Sequence, residues 1–211
     1  AGLPHGGGKS VLYGDPRAPR ERKEPLIRAF AVEAMLDLIK QDLGLLGIHH
    51  DIFFSEKSLH DSGAIVATVE TLKTAGLVFK GRIPAPKGQP PEDWEDREQW
   101  LFRTTDFGDD IDRPLQKSDG TYAYFAADVA YTRSKIERGF DKLIYVLGAD
   151  HGGYVKRLKA VAAALSAGRV ELDVRLCQLV KLFRNGQPIR MSKRSGNFEA
   201  LSDLVEEVGS D

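Results

Sequence analysis

The sequence predicts an α/β protein built on a doubly wound sheet of parallel strands, and three observations carry that reading. After residue 115, short apolar runs alternate with segments of helical periodicity, the arrangement that crossover helices between parallel strands require. The apolar run KLIYVLG ends in a turn holding Asp150, His151, Gly152 and Gly153, at the edge where open α/β sheets bind ligands. With 211 residues and 42% hydrophobic composition, the chain is long and apolar enough to bury the core that such a sheet needs.

Taken in chain order, residues 1–24 are breakers and charge and are expected to form a flexible arm or a cut end. From Pro25, residues Leu26, Ile27, Phe30, Ala34, Met35, Leu38 and Ile39 share one helical face, expected to be buried, with Gly44 or Gly47 as the stop. DIFF, at 51–54, reads as extended; SGAIVATVETLKTAG reads as a second helix with Val66, Val69 and Leu72 inward and Gly76 at its end. LVFKGRI reads as a strand. Residues 84–114 hold much of the proline, both tryptophans and many acids, and read as an irregular connection laid over a surface. TYAYF then predicts a strand, followed by a helix through Asp128 to Arg138, the strand KLIYVLG and a helix from Gly152 to Ala167. The strands VELDVRL and QLVKLF, the loop RMSKRSG and a last helix LSDLVEEVG complete the pattern. The expected division is 1–24, 25–115 and 116–211.

Thirty Lys and Arg against 31 Asp and Glu leave a formal charge of -1, so contact with nucleic acid must come from local patches. Cys177 is the sole cysteine, which excludes an intrachain disulfide and fits a reducing compartment. No apolar run approaches the roughly 20 residues that span a bilayer, and a soluble, cytoplasmic protein with no membrane partner is expected.

Three constellations can carry chemistry. In VLGADHGGYVKR, Asp150 and His151 follow Gly148 at a strand end, and the glycines that come next let a ligand approach backbone N–H groups. The plain alternative is Asp150 as a helix cap, but a turn already supplied with a cap and glycines has no need of an imidazole. In SDGTYAYFAADVAYTRSK, Tyr124 and Asp128 stand one helical turn apart on one side. A carboxylate in a partly dry cleft needs a cation, and a guanidinium satisfies both its oxygens; the alternative is an internal salt bridge to Arg133 or Lys135. In RMSKRSG, Arg190, Lys193 and Arg194 stand with the hydroxyls of Ser192 and Ser195 and the flexible Gly196, a set able to close over a polyphosphate. The alternative there is a solvated basic turn.

Other patterns fail on inspection. GGGKS lacks the P-loop glycine, since Leu3 stands at its position, and no apolar strand precedes it. DFG at 106–108 has neither the catalytic loop nor the glycine-rich loop of a kinase. Asp106, Asp109, Asp110 and Asp112 lack the calcium-loop spacing and are expected to be solvated or paired with arginine. His49, His50 and His60 show no supporting pattern for a metal, and no metal ligands are assigned.

RMSKRSG resembles the KMSKS signature of class I aminoacyl-tRNA synthetases. The order TYAYFAADVAY, FDKLIYVLGADHGGYVKR, RMSKRSG is similar to the second half of the arginyl-tRNA synthetase catalytic domain, and LGIHHDIFFSEKSL and WLFRTTDFGDDIDRPLQKSDG extend the likeness upstream. The resemblance implies the second half of a Rossmann-like parallel sheet with an α+β insertion region before it. It implies that Tyr124, Asp128 and His151 bind arginine, and that Gly148, Asp150, His151, Leu179, Val180 and Met191 face ATP. Lys193, with Arg190, Ser192 and Arg194, would face the pyrophosphate. ATP with Mg2+, L-arginine and tRNA(Arg) are the implied cofactors and partners. Two departures stand out: Arg190 and Arg194 replace a lysine and a serine of the signature, and no His-x-Gly-His motif occurs in the chain. The chain by itself is therefore expected to be inactive in arginine activation. The alternative is a module derived from such an enzyme that binds nucleotide, tRNA or protein without chemistry, and self-associates through an incomplete sheet.

Overall fold

The computed structural model describes residues 19–83, 97–178, 180–188 and 200–209, with the side chains of Arg22 and Leu26 excepted. The chain forms two compact units: Ala1–Phe53 with Arg184–Asp211, and Phe54–Phe183. The second unit's apolar cluster runs through residue 115, joining Leu59, Val69, Val78 and Phe102 to Leu115, Phe125 and Val129.

In the first unit, helix α1 covers Arg20–Leu45. It begins before the expected start, so Pro25 lies inside it; the Pro25 ring nitrogen cannot donate to the carbonyl one turn back. Arg28 holds Glu24 at 2.7 Å across this stretch. The apolar face expected to be buried is largely exposed at Ile27, Met35 and Ile39. Among the described residues α1 packs against the short helix α6, Leu201–Val208, and so small a contact cannot bury a whole stripe.

The second unit opens with helices α2, Lys57–Asp61, and α3, Ala64–Thr74. Val69 and Leu72 of α3 are buried as expected, but Val66 is exposed and Ile65 and Thr68 point inward instead. The face is rotated by one position because α3 packs on the helix α4, Tyr124–Glu137. Strand β1, Val78–Gly81, pairs antiparallel with β2, Gln99–Phe102, which pairs antiparallel with β3, Arg113–Gln116. The described part of the segment expected to be irregular thus supplies one whole strand and the start of another. A four-residue strand buried on both sides carries no period-two signal, and its pairing is nonlocal.

TYAYF is not a strand. Tyr122 makes a single bridge to Gln116, the Ala123 N–H bonds the Leu115 carbonyl at 3.0 Å, and α4 starts at Tyr124. Burial of Phe125, Ala126, Val129 and Ala130 against the three-stranded sheet and its helices outweighs the strand preference of the aromatics. Beyond α4, β4 covers Lys142–Gly148, and a 3-10 segment, Ala149–Tyr154, precedes helix α5, Val155–Ser166. The expected helix start at Gly152 falls in that 3-10 segment. Helix α5 stops where Ala167 and Gly168 turn left-handed and the Gly168 N–H bonds the Ala163 carbonyl at 2.8 Å.

Strand β5, Glu171–Cys177, pairs parallel with β4 in continuous register from Lys142↔Glu171 to Gly148↔Cys177. This is the parallel strand–helix–strand unit that the alternation predicts. Leu158 and Ala162 of α5 cover Leu143 and Leu172 on one face, while Ile144, Val146 and Leu176 are exposed on the strands. QLVKLF is not a continuous strand: β5 ends at Cys177, and only Phe183–Arg184, β6, pairs, in a hairpin with β7, Gln187–Pro188. Asn185 and Gly186, both left-handed, make that two-residue turn. Among the described residues no helix is long and apolar enough to cross a membrane.

Candidate functional site

The start of α4 is fixed by β3, and it presents Tyr124 and Asp128 outward because the residues between and beside them are buried. Tyr124 is 86% exposed. Water reaches Asp128, which lies on an exposed position, while protein atoms crowd its other side. That crowding raises the carboxyl pKa above its ordinary value, as does the Glu56 charge; Arg157 and Lys135 draw it down.

The alternative of an internal salt bridge is not realised among the described residues. Arg133 binds Glu137 at 2.7 Å and the Thr71 hydroxyl at 3.0 Å. Lys135 places its ammonium over the rings of Tyr131 and Tyr145, 3.9 and 3.8 Å from their centroids. Thr132 donates to the Asp128 carbonyl at 2.9 Å, which leaves its oxygen to accept from the Tyr145 hydroxyl at 3.2 Å. No described cation comes within ion-pair distance of the Asp128 carboxylate.

At the carboxyl end of β4, Gly148 lies against Asp150, whose carboxylate oxygen would meet any Cβ placed there. A side chain at 148 would therefore displace Asp150 from His151, whose Nε2 lies 3.8 Å from the Asp150 carboxylate. No side chain caps α5, whose preceding residue is Tyr154, so Asp150 is not there as a cap. His151 meets Tyr154 edge to face at 5.8 Å, Arg157 lies 4.3 Å over the Tyr154 ring, and the same guanidinium is 5.4 Å from Phe125.

This ladder links the strand end that carries His151 to the helix start that carries Tyr124. Tyr154 and Arg157 were not singled out from sequence; their signal is the three-residue spacing in YVKR, which puts a ring and a cation on one helical face. Burial, and then the neighbouring Arg113, lower the Arg157 pKa, and its Nε is buried with no described hydrogen-bond partner.

Three of the four acids of DFGDDIDR hold structure, and the fourth, Asp106, is exposed. Arg113 grips Asp109 with two hydrogen bonds of 2.7 and 2.8 Å, Lys156 holds Asp110 at 2.7 Å, and Asp112 accepts from the Thr105 hydroxyl at 2.8 Å. These contacts seat the 3-10 turn Thr104–Phe107 against α5.

Val180 was expected on a strand and lies beyond β5, 79% exposed. Leu179, Arg190, Met191, Ser192, Lys193 and Arg194 lie outside the described residues. Among the described residues no group of three or more His, Cys, Asp and Glu could hold a metal ion. The β4 end fits a nucleotide in kind: a Cβ at Gly148 would meet the end of the exposed Asp150 side chain, and Gly152 and Gly153 leave the backbone open.

Comparison with known proteins gives the chain's family. The family model described as "tRNA synthetases class I (R), catalytic domain" matches residues 95–210. Arginine–tRNA ligases from Rhizobium leguminosarum bv. trifolii (strain WSM2304) and Rhizobium meliloti (strain 1021) are each 60% identical over 195 residues, 92% of this chain. The chain spans only 33% of the length of these relatives. A crystal structure described as an arginyl-tRNA synthetase from Campylobacter jejuni superposes with a TM-score of 0.71 at 34% identity, covering 90% of this chain and 38% of that one.

Proposed function

The chain belongs to the class I (R) tRNA synthetase catalytic-domain family, and from that premise we propose that it supplies the arginine pocket and one wall of the nucleotide site for ATP-dependent activation of L-arginine and its transfer to tRNA(Arg). Tyr124 and Asp128 receive the guanidinium, with the carboxylate accepting two parallel N–H bonds and the phenol bordering them. His151, with Gly148 and Asp150, faces the amino acid and adenosine, Leu179, Val180 and Met191 border the base, and Lys193 with Arg190, Ser192 and Arg194 faces the pyrophosphate.

In the reaction, an arginine carboxylate oxygen attacks the α-phosphorus of ATP and pyrophosphate leaves; the terminal ribose hydroxyl of the tRNA then attacks the arginyl carbonyl and AMP leaves. The chain contributes position and charge, with no protein nucleophile. Mg2+ bound with ATP would neutralise phosphate charge, and the described residues offer no protein cluster to hold it alone.

One observation carries the reading: Asp128 is crowded, without a described cation, and placed on an open helix face one turn from Tyr124. Calorimetry tests it. The chain should bind arginine in preference to lysine and glutamate, and Asp128→Asn should weaken arginine by roughly tenfold to a hundredfold, the worth of charge-assisted hydrogen bonds. Equal affinity in the variant, or equal binding of lysine, would refute the assignment.

The exposed Ile144, Val146 and Leu176 favour a second reading, a partner-binding module that performs no chemistry. That reading expects self-association in light scattering, with Val146→Lys returning the protein to a monomer; a monomeric wild type removes it.

A further inference from the structure

We propose that Arg157 and Tyr154 are positioning residues: Arg157 holds the Tyr154 ring, and that ring holds the His151 imidazole in place at the carboxyl end of β4. The proposal rests on the reading of His151 as a group that faces the amino acid and adenosine.

His151 has little else to fix it. It lies in the 3-10 segment Ala149–Tyr154, which contains no buried residue. Gly152 and Gly153 come next, so the backbone after the imidazole has no side chain to limit its movement. Asp150 approaches His151 to 3.8 Å, but the two side chains are 63% and 53% exposed, and an exposed pair holds its partners weakly. The remaining described contact is Tyr154, edge to face at 5.8 Å.

Tyr154 is itself 41% exposed, so burial does not lock it. The Arg157 guanidinium lies 4.3 Å from the centroid of its ring and 5.4 Å from that of Phe125, which is 6% exposed in the apolar cluster of the second unit. The contacts therefore run outward from the core in the order Phe125, Arg157, Tyr154, His151. An arginine suits the second place because a planar guanidinium stacks on rings, whereas an ammonium is a point charge. Arg157 is not there as a salt bridge. No described carboxylate stands within ion-pair distance of it, and its Nε is buried without a described partner. Asp109, the acid that bears on it, is taken by Arg113. A half-buried cation left in that state is costly to keep for packing alone, and its ring contacts give it a role that an apolar side chain would not fill.

Two measurements on the whole chain test this. The first is the His151 ring resonance in proton NMR, assigned by its loss in His151→Ala, because a neighbouring aromatic ring displaces it from the position of an exposed imidazole. Arg157→Met and Tyr154→Leu should both return it to that position without moving the His60 signal, and Tyr154→Phe, which keeps the ring, should preserve the displacement. Arg157→Gln, polar and shorter, reads the same contact if methionine at this half-buried position does not fold. A His151 resonance that loss of the guanidinium leaves unmoved overturns the proposal. The second measurement is ATP affinity by calorimetry. Arg157→Met should weaken ATP by roughly threefold to tenfold, the worth of one aromatic contact, and should have no effect in a His151→Ala background, since it acts through the imidazole. A loss of the same size in that background would mean that Arg157 acts through the fold at large, and would also overturn the proposal. A wild-type chain that binds no ATP counts against the nucleotide role of His151 instead, and the resonance then decides the positioning by itself.

Discussion

Arg113→Ala is expected to lower the unfolding free energy by about 3–5 kcal/mol, because it strands a buried charge. The Asp109 side chain is only 1% exposed, and Arg113 meets both of its oxygens. Burial by itself would raise the Asp109 pKa, but the Arg113 hydrogen bonds, the Asp110 N–H and the Arg113 charge more than offset it and hold the carboxyl below its ordinary 3.8. A depressed folded-state value means that this stabilisation is fully present above 3.8 and is lost as pH falls through the lower folded value. In the variant the guanidinium's hydrogen bonds and charge are gone while the Asp110 N–H and Thr104 hydroxyl remain, so the folded carboxyl titrates higher than in the wild type and the stability gained as pH rises through 3.8 shrinks. Urea unfolding of both proteins between about pH 3 and pH 7 reads the two slopes directly. A loss under about 1 kcal/mol, the scale of an exposed pair, would show that the loop is not held by this contact.

Phe102→Ala should cost a similar amount, about 3–5 kcal/mol, through a different term. Phe102 is fully buried in β2, opposite Val78 and Arg113, within the cluster that also contains Leu72, Leu115 and Val129. Truncation removes the ring from a site enclosed by a sheet and two helices, where neighbours cannot collapse into the space. The expected consequence is a fall in thermal midpoint of more than about 6 °C for a chain of this size. Ile27→Ala on the exposed side of α1 should change stability by no more than about 0.5 kcal/mol. Similar losses for the two variants would mean that the apolar cluster of the second unit is not its core.

Helices α3, α4 and α5 and strands β4 and β5 were legible because each carries its own periodicity over enough residues to be read locally. The strands β2 and β3 were not. QWLF is four residues long, and its pairing with VFKG depends on contacts across an intervening segment. TYAYF misleads for the opposite reason: its residues favour a strand in isolation, but the Ala123 bond to Leu115 and the burial of Phe125 turn it into the start of a helix.

The candidate site divides in the same way. Tyr124 and Asp128 could be placed on one helix side from their spacing, and Gly148, Asp150 and His151 at a strand end from theirs. The ladder through Tyr154 and Arg157 could not, because Phe125 and Arg157 belong to different elements. Nor could spacing choose a partner for Asp128: Arg133 and Lys135 are both near in sequence, yet one goes to Glu137 and Thr71 and the other to Tyr131 and Tyr145.

The sequence by itself determined the parallel α/β unit and the family, since local periodicity and contiguous motifs survive without knowledge of distant neighbours. Only the tertiary structure decided which charges are paired and which, like Asp128, have no ion-pair partner among the described residues. Those pairings depend on distances between residues far apart in the chain, and such distances are set only when the core closes.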